Sequence, residues 1–363
     1  MPRHLRFLPA LALLATPALA APPTLTKVAS FKHQVTGVSV SPDGLILVNF
    51  PRWTEDTAVS VAEVKANGEL VPFPDAEWNA WRNAKKDEVT AKDHWVCVQS
   101  VVVDPQGKLW VLDPAAPAMG SVVPGGAKLV EIDLKTNKPG RTILFPDAIA
   151  PQGSYLNDVR FSRDGKTAYL TDSGARGALV TVDLATGQAR RVLDGAPATQ
   201  PDKTMTVKAD GKPLRRPDGR GVEFAADGIA LSNDGKTLYW QAIRGKTLYS
   251  VPTGMLAGAV DGTSVEPVGE NGPADGLWIA RDAKMYVSAP EDSAIKVRDL
   301  TAKGSAATVL IKDARLRWPD TFSEGPDGTI YVTTSHIQDS AFYKPGAPAA
   351  LATELWSFKP AAK

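Results

Sequence analysis

Apolar and polar positions along this chain fall into a recurring figure: a short apolar run, a turn of the Asp-Gly type, then a second apolar or aromatic run. It occurs six times, at residues 38–50, 101–113, 159–173, 229–242, 277–289 and 322–335. Each copy predicts a β-hairpin, because glycine supplies the positive φ the turn needs while the flanking β-branched and aromatic residues suit a half-buried pleat. The turn glycines are Gly44, Gly107, Gly165, Gly235 and Gly328, with Ala283 in the fifth place, so the copies follow at intervals of 45 to 70 residues. Such spacing marks an array of similar units. A lone hairpin cannot bury both its faces, whereas four-stranded blades packed about an axis bury them all. Six copies therefore predict an all-β, six-bladed β-propeller rather than a large β-sandwich.

With the hairpins as inner strands, the blades fall near residues 32–88, 94–148, 152–196, 220–268, 272–313 and 316–358. Residues 25–31 precede the first hairpin and are free to add the outermost strand of the last blade, which would join the two ends of the chain. Two stretches lack strand alternation. Residues 199–220 are polar, with Lys, Arg, Pro and Gly, and form a candidate lid or rim loop. Residues 73–93, with Trp78, Trp81 and several charges, read as a short helix or an irregular cap over the first blade.

Residues 1–20 have the layout of a secretory signal peptide: Arg3 and Arg6, an apolar stretch from Phe7 to Leu14, then Ala18-Leu19-Ala20. That leaves 21–363 as a single propeller domain, expected to be secreted or periplasmic and a monomer. Losing the two arginines takes the formal charge from +1 to −1, with 39 basic residues against 40 acidic. Nothing in that balance steers the chain to nucleic acid or to an anionic membrane. Cys97 is the single cysteine, so an internal disulfide is excluded, and its strand-like setting reads as a small buried hydrophobe. His33, His94 and His336 lack zinc-motif spacing, and neither a Gly-x-Ser-x-Gly elbow nor a phosphate- or dinucleotide-binding glycine loop is present.

In a propeller the residues just before each inner strand converge at one mouth of the central channel, where ligands collect. Here those positions hold Thr36, Gln99, Asn157 with Asp158, Asp227, Asp275 and Asp320. Taken singly, an Asp or Asn before a strand makes a turn through its own backbone hydrogen bonds. Together they argue for more, because several carboxylates facing one narrow channel repel unless a cation or a shifted pKa relieves them. Asn157, Asp227, Asp275 and Asp320 are thus candidate ligands for Ca²⁺ or another divalent cation. Gln99, Asn157, Asp158, Asp320 and Trp318 are candidate contacts for a small aromatic or lactone-like molecule, and Asp275 and Asp227 are the candidate catalytic pair.

The landmarks in between resemble the yellow and major royal jelly protein family. They are Asn49-Phe50-Pro51-Arg52-Trp53, a Pro-Phe-Pro segment followed by Glu77-Trp78-Asn79, Val98-Gln99-Ser100-Val101 leading into Lys108 to Asp113, Tyr155-Leu156-Asn157-Asp158, Gly228 to Ser232, and Trp318-Pro319-Asp320-Thr321-Phe322. The resemblance implies a secreted six-bladed propeller with a ligand tunnel; some members are associated with dopachrome conversion, a tautomerisation, and others bind small aromatic amines. It supplies no shared catalytic set. The chain is more distantly similar to the gluconolactonase, senescence-marker and luciferin-regenerating propellers, whose cation is held by Glu, two Asn and Asp. By that likeness Asn157, Asp227 and Asp275 take ligand places, while Thr36 stands where the Glu is expected and Asp320 is the available substitute. Three functions follow as expectations: an isomerase acting on an oxidised catechol or similar ring, a metal-dependent lactonase, and a binding protein without turnover.

Overall fold

The computed structural model describes residues 22–258, 260, 262–302 and 304–360; the expected signal peptide at 1–20 lies outside them. Six four-stranded antiparallel sheets form the blades of a propeller. Their inner strands are Val38–Val40, Ser100–Val103, Leu156–Phe161, Ala226–Leu231, Leu277–Ile279 and Pro319–Glu324. Each inner strand contacts those of both neighbouring blades, so the ring is closed. The seam lies in the sixth blade, where Thr26–Phe31 pairs antiparallel with Thr353–Phe358, Thr26 opposite Ser357 and Phe31 opposite Thr353. The strand expected at 25–31 is there, and it covers an edge that would otherwise stay unpaired.

The six turns are the same turn. In each, the residue in the glycine place returns its N–H to the carbonyl three residues earlier, as from Gly44 to Ser41 (2.9 Å) and from Ala283 to Ala280 (2.9 Å). All six residues lie at positive φ, from 64° to 83°, and at Ala283 the left-handed backbone is adopted without glycine. The core runs between blades. Leu47 and Val61 of the first blade join Val101, Leu109, Val111, Val130 and Ile132 of the second in one buried cluster. Each such side chain contributes about 1.5–3 kcal/mol by leaving water.

Both irregular stretches are built into the body. Residues 73–93 contain one 3₁₀ turn, Asn83–Lys85, and hold Trp81 buried. Their Asn79 amide oxygen accepts the N–H groups of Ser60 (2.8 Å) and Val61 (3.1 Å). Residues 199–220 carry a two-stranded ribbon, Lys208–Ala209 with Lys212–Pro213. The ribbon reaches across to the sixth blade, where Arg317 grips Asp210 through two hydrogen bonds of 2.9 and 3.0 Å. The Arg216 guanidinium lies over the rings of Phe342 and Tyr343. No helix among the described residues is long and apolar enough to cross a membrane.

Candidate functional site

Bulges set the site. In the third blade Leu156 pairs with Asp172 and Val159 with Leu170, so Asn157 and Asp158 together oppose Thr171 alone. The same extra residue appears at Asp227-Gly228 and at Asp320-Thr321. A bulge turns its residues out of the ladder, and here it happens at the start of three inner strands, at one level of the channel.

Two glycines then let the blades close in. A Cβ on Gly228 would stand 1.9 Å from the Asp275 carbonyl oxygen, and one on Gly276 would stand 2.0 Å from that of Asp320. Only glycine tolerates this approach, and the Asp-Gly pairs of blades four and five thereby bring Asp227, Asp275 and Asp320 together. The Thr171 hydroxyl donates to the Asp227 carbonyl (2.6 Å), tying blade three to blade four at the same height.

Gln99, Asn157, Asp227, Asp275 and Asp320 line one small space with Trp53, Met119, Tyr155, Ser173, Phe224, Ile243 and Ile337. The free volume is about 10 Å³, enough for one water-sized occupant. The Asn157 amide donates to Asp227 (2.7 Å), and the Trp318 indole N–H donates to Asp275 (2.7 Å). Trp318 is 0 % exposed, so it holds a carboxylate and offers no open ring face. Asp158 lies one residue further in. Burial raises its pKa, against the pull of Arg160 and a hydrogen bond from Ser100.

Burial also dominates the other three acids. Asp275 is pushed up to about 7 by desolvation, held back mainly by the Trp318 hydrogen bond. Asp227 and Asp320 are driven well above the usual carboxylate range by desolvation first and the charge of Asp275 second. Asp227 and Asp275 are both hydrogen-bonded, Asp227 by Asn157 and Asp275 by Trp318, and burial raises both.

Sequence reasoning missed the roof and one wall. The wall is a chain of buried side chains in which Trp53 donates to the Tyr155 hydroxyl (2.6 Å), which donates to the Gln99 amide oxygen (3.0 Å). Tyr155 stood next to Asn157 in a landmark motif, which was the available signal. The roof is apolar: Val207, Leu214, Val222 and Phe224 pack in one cluster with Trp318, Ile243 and Ile337. Isolated apolar residues in a polar stretch gave no periodic sign of it.

A divalent cation needs several oxygens aimed at one point. The donor set is rich in oxygen, yet Asn157 presents its NH₂ group to Asp227, and Asp275 has an oxygen engaged by Trp318. Among the described residues no group of three or more His, Cys, Asp or Glu is arranged to hold a metal.

The fold is shared with solved propellers at low identity. A gluconolactonase from Xanthomonas campestris superposes with a TM-score of 0.55 at 13% identity, covering 94% of this chain and 92% of the other. A luciferin-regenerating enzyme gives 0.56 at 10%, covering 93% and 95%. Regucalcin from Agrobacterium tumefaciens, described as a calcium-binding protein, gives 0.50 at 14%, covering 94% and 95%. No curated protein matches the sequence. The profile of the major royal jelly proteins, in contrast, matches residues 96–340, which takes in the strand starts from Gln99 to Asp320, and the chain belongs to the major royal jelly protein family.

Proposed function

We propose that this protein is an exported isomerase that moves a proton on a small conjugated ring, in the manner of a dopachrome tautomerisation, with Asp275 as base and Asp227 as acid. One observation carries the reading: a buried Asp–Asp pair lining one small space, in which burial pushes Asp275 up to about 7 and raises Asp227 well above the usual carboxylate range. A base poised near neutrality accepts a proton from carbon, and a neighbouring acid returns one to the developing enolate oxygen, so the reaction needs no oxidant and no leaving group. Trp318 steadies the carboxylate and Asn157 orients the acid. Tyr155 and Gln99 supply polar groups on the opposite wall. The substrate reaches the pair only when the roof around Phe224 and Leu214 moves aside, which keeps the intermediate away from water.

The test is turnover of dopachrome above the spontaneous rate by the purified mature chain, abolished in Asp275→Asn and in Asp227→Asn. Absence of turnover together with micromolar binding of aromatic amines would replace the isomerase by a binding protein. A divalent-metal-dependent lactonase is the competing reading, favoured by the oxygen side chains at four strand starts. It requires calcium or another divalent ion to raise the melting temperature, a rise lost in Asp275→Ala. A melt insensitive to every divalent ion and to chelator removes it. The export expectation is checked separately by N-terminal sequencing, which should begin at Ala21.

A further inference from the structure

The other mouth of the channel is open. A cavity of about 600 Å³ lies among the ends of the inner strands and the six turns. Of the residues five places before each turn glycine, Ser39, Val102, Arg160, Trp278 and Ser323 line it, while Ala230 is buried and does not. One of these is a cation and one is an aromatic. Arg160 reaches from the third blade to the fifth to donate to the Leu277 carbonyl (2.9 Å), and its guanidinium lies 5.5 Å from the centre of the Trp278 ring.

Arg160 is 8 % exposed and has no carboxylate within ion-pair distance among the described residues. Of its five N–H groups, two go to the carbonyls of Val159 and Leu277. Among the described residues its Nε makes no hydrogen bond, and Arg160 lines the cavity. The buried Asp158 carboxylate attracts it without forming an ion pair, and desolvation still outweighs that attraction and lowers the pKa of the guanidinium, so a bound anion would supply the charge that Asp158 does not. The hydroxyls of Ser39 and Ser323 accept the N–H groups of Val103 and Val40 (2.9 Å each), which leaves both hydroxyl protons available to an acceptor. The rim adds Arg163 and Arg281. Its two acids are already engaged: Asp104 accepts from Gln106, Lys108 and Trp110, and Glu324 pairs with Arg281 (3.0 Å). The remaining walls are Val38, Val40, Phe161, Leu231, Ile279 and Phe322. Apolar walls around a few convergent donors are the usual make-up of a small-molecule site, and the volume suits one or two rings.

We propose that this open mouth is a second binding site, for a planar aromatic carboxylate whose anionic head meets Arg160 and whose ring lies against Trp278. Its lining shares no residue with the space around the acid pair at the opposite end. Titration calorimetry on the full mature chain at pH 7, with benzoate and indole-3-acetate as probes and their primary amides as controls, tests it. The carboxylates should bind saturably below about 1 mM, with the amides about tenfold weaker or worse, since a hydrogen-bonded charge pair is worth at least that factor. Arg160→Met should lose about tenfold for the carboxylates and nothing for the amides. Trp278→Phe should weaken both severalfold and retain the preference for the acid. Asp275→Asn should bind as the wild type does, which separates failure here from failure of the isomerase reading. Equal affinity for acid and amide, no saturable binding by the folded wild type, or loss of binding in Asp275→Asn would each overturn the assignment. Should Arg160→Met not fold, the acid–amide comparison and Trp278→Phe decide.

Discussion

The two ends of the channel are built from the same six strands and could hardly differ more. Where the inner strands begin, three acids and their partners are packed around about 10 Å³ under an apolar roof. Where the strands end, about 600 Å³ stands open beside a cation and an indole. The cause is the length of the connections. At the acid end the chain runs through long segments such as 199–220, with apolar residues to spare for a lid. At the other end every connection visible in the inner hairpins is the same tight turn, fixed by one residue at positive φ, and it is too short to cover anything. A propeller's turns therefore decide which mouth is sealed, while its strands decide what chemistry each mouth holds.

That contrast can be broken most decisively at the acid end. Asp275→Asn removes the proposed base, and the rate of dopachrome conversion should fall by about 10²- to 10⁴-fold, the range general bases supply, while ligand binding at the open mouth persists. Next in size is the dependence of stability on pH. Asp275 titrates near 4 when unfolded and is pushed up to about 7 in the fold, so the folded chain keeps a proton that the unfolded chain releases. Its contribution is whole below about pH 4 and is lost as pH rises to about 7. The urea midpoint of the wild type should fall across that window, the unfolding free energy dropping by on the order of a few kcal/mol, and Asp275→Asn should flatten the fall. An unchanged slope in the variant would mean that the acid end is not desolvated as described.

Gly276→Ala tests the packing that assembles the acids. Its Cβ would meet the Asp320 carbonyl oxygen at 2.0 Å, so the blades must part, and denaturant melts should show a loss of about 1–3 kcal/mol. Gly44→Ala, in a turn with open space around it, should cost less, near the ordinary price of a left-handed backbone of about 1 kcal/mol. Smallest is Asp210→Ala, which unfastens the ribbon from Arg317 on the sixth blade and leaves the Arg317–Asp339 pair in place. Asp210 is 63% exposed, so stability should change by less than about 1 kcal/mol, yet loosening the lid should speed substrate access to the acid pair and leave carboxylate binding at the open mouth untouched.

The architecture was legible because each hairpin announces itself twice, in its alternating flanks and in a turn that demands positive φ. Residues 25–31 could be placed in the last blade for the simple reason that no earlier strand was left for them to pair with. The strand starts were legible as well: Gln99, Asn157, Asp227, Asp275 and Asp320 line one space. What eluded the reading was the use of each side chain. Trp318 looks like a stacking surface in sequence and is an indole donor in the fold, because the neighbouring blade brings Asp275 against its nitrogen. The pairing of Arg160 with Trp278 joins the third blade to the fifth, a relation no local window contains. The roof escaped because Val207 and Leu214 are single apolar residues whose burial is decided by the sixth blade.

The seam between Thr26–Phe31 and Thr353–Phe358 is the clasp of the ring. Five blades draw their strands from consecutive stretches of chain, whereas the sixth joins strands far apart in sequence. Thr353–Phe358 is the shared member, paired on one side with Ile330–Thr334 and on the other with Thr26–Phe31. A chain that lost this one strand would keep five complete blades and stand as an open arc.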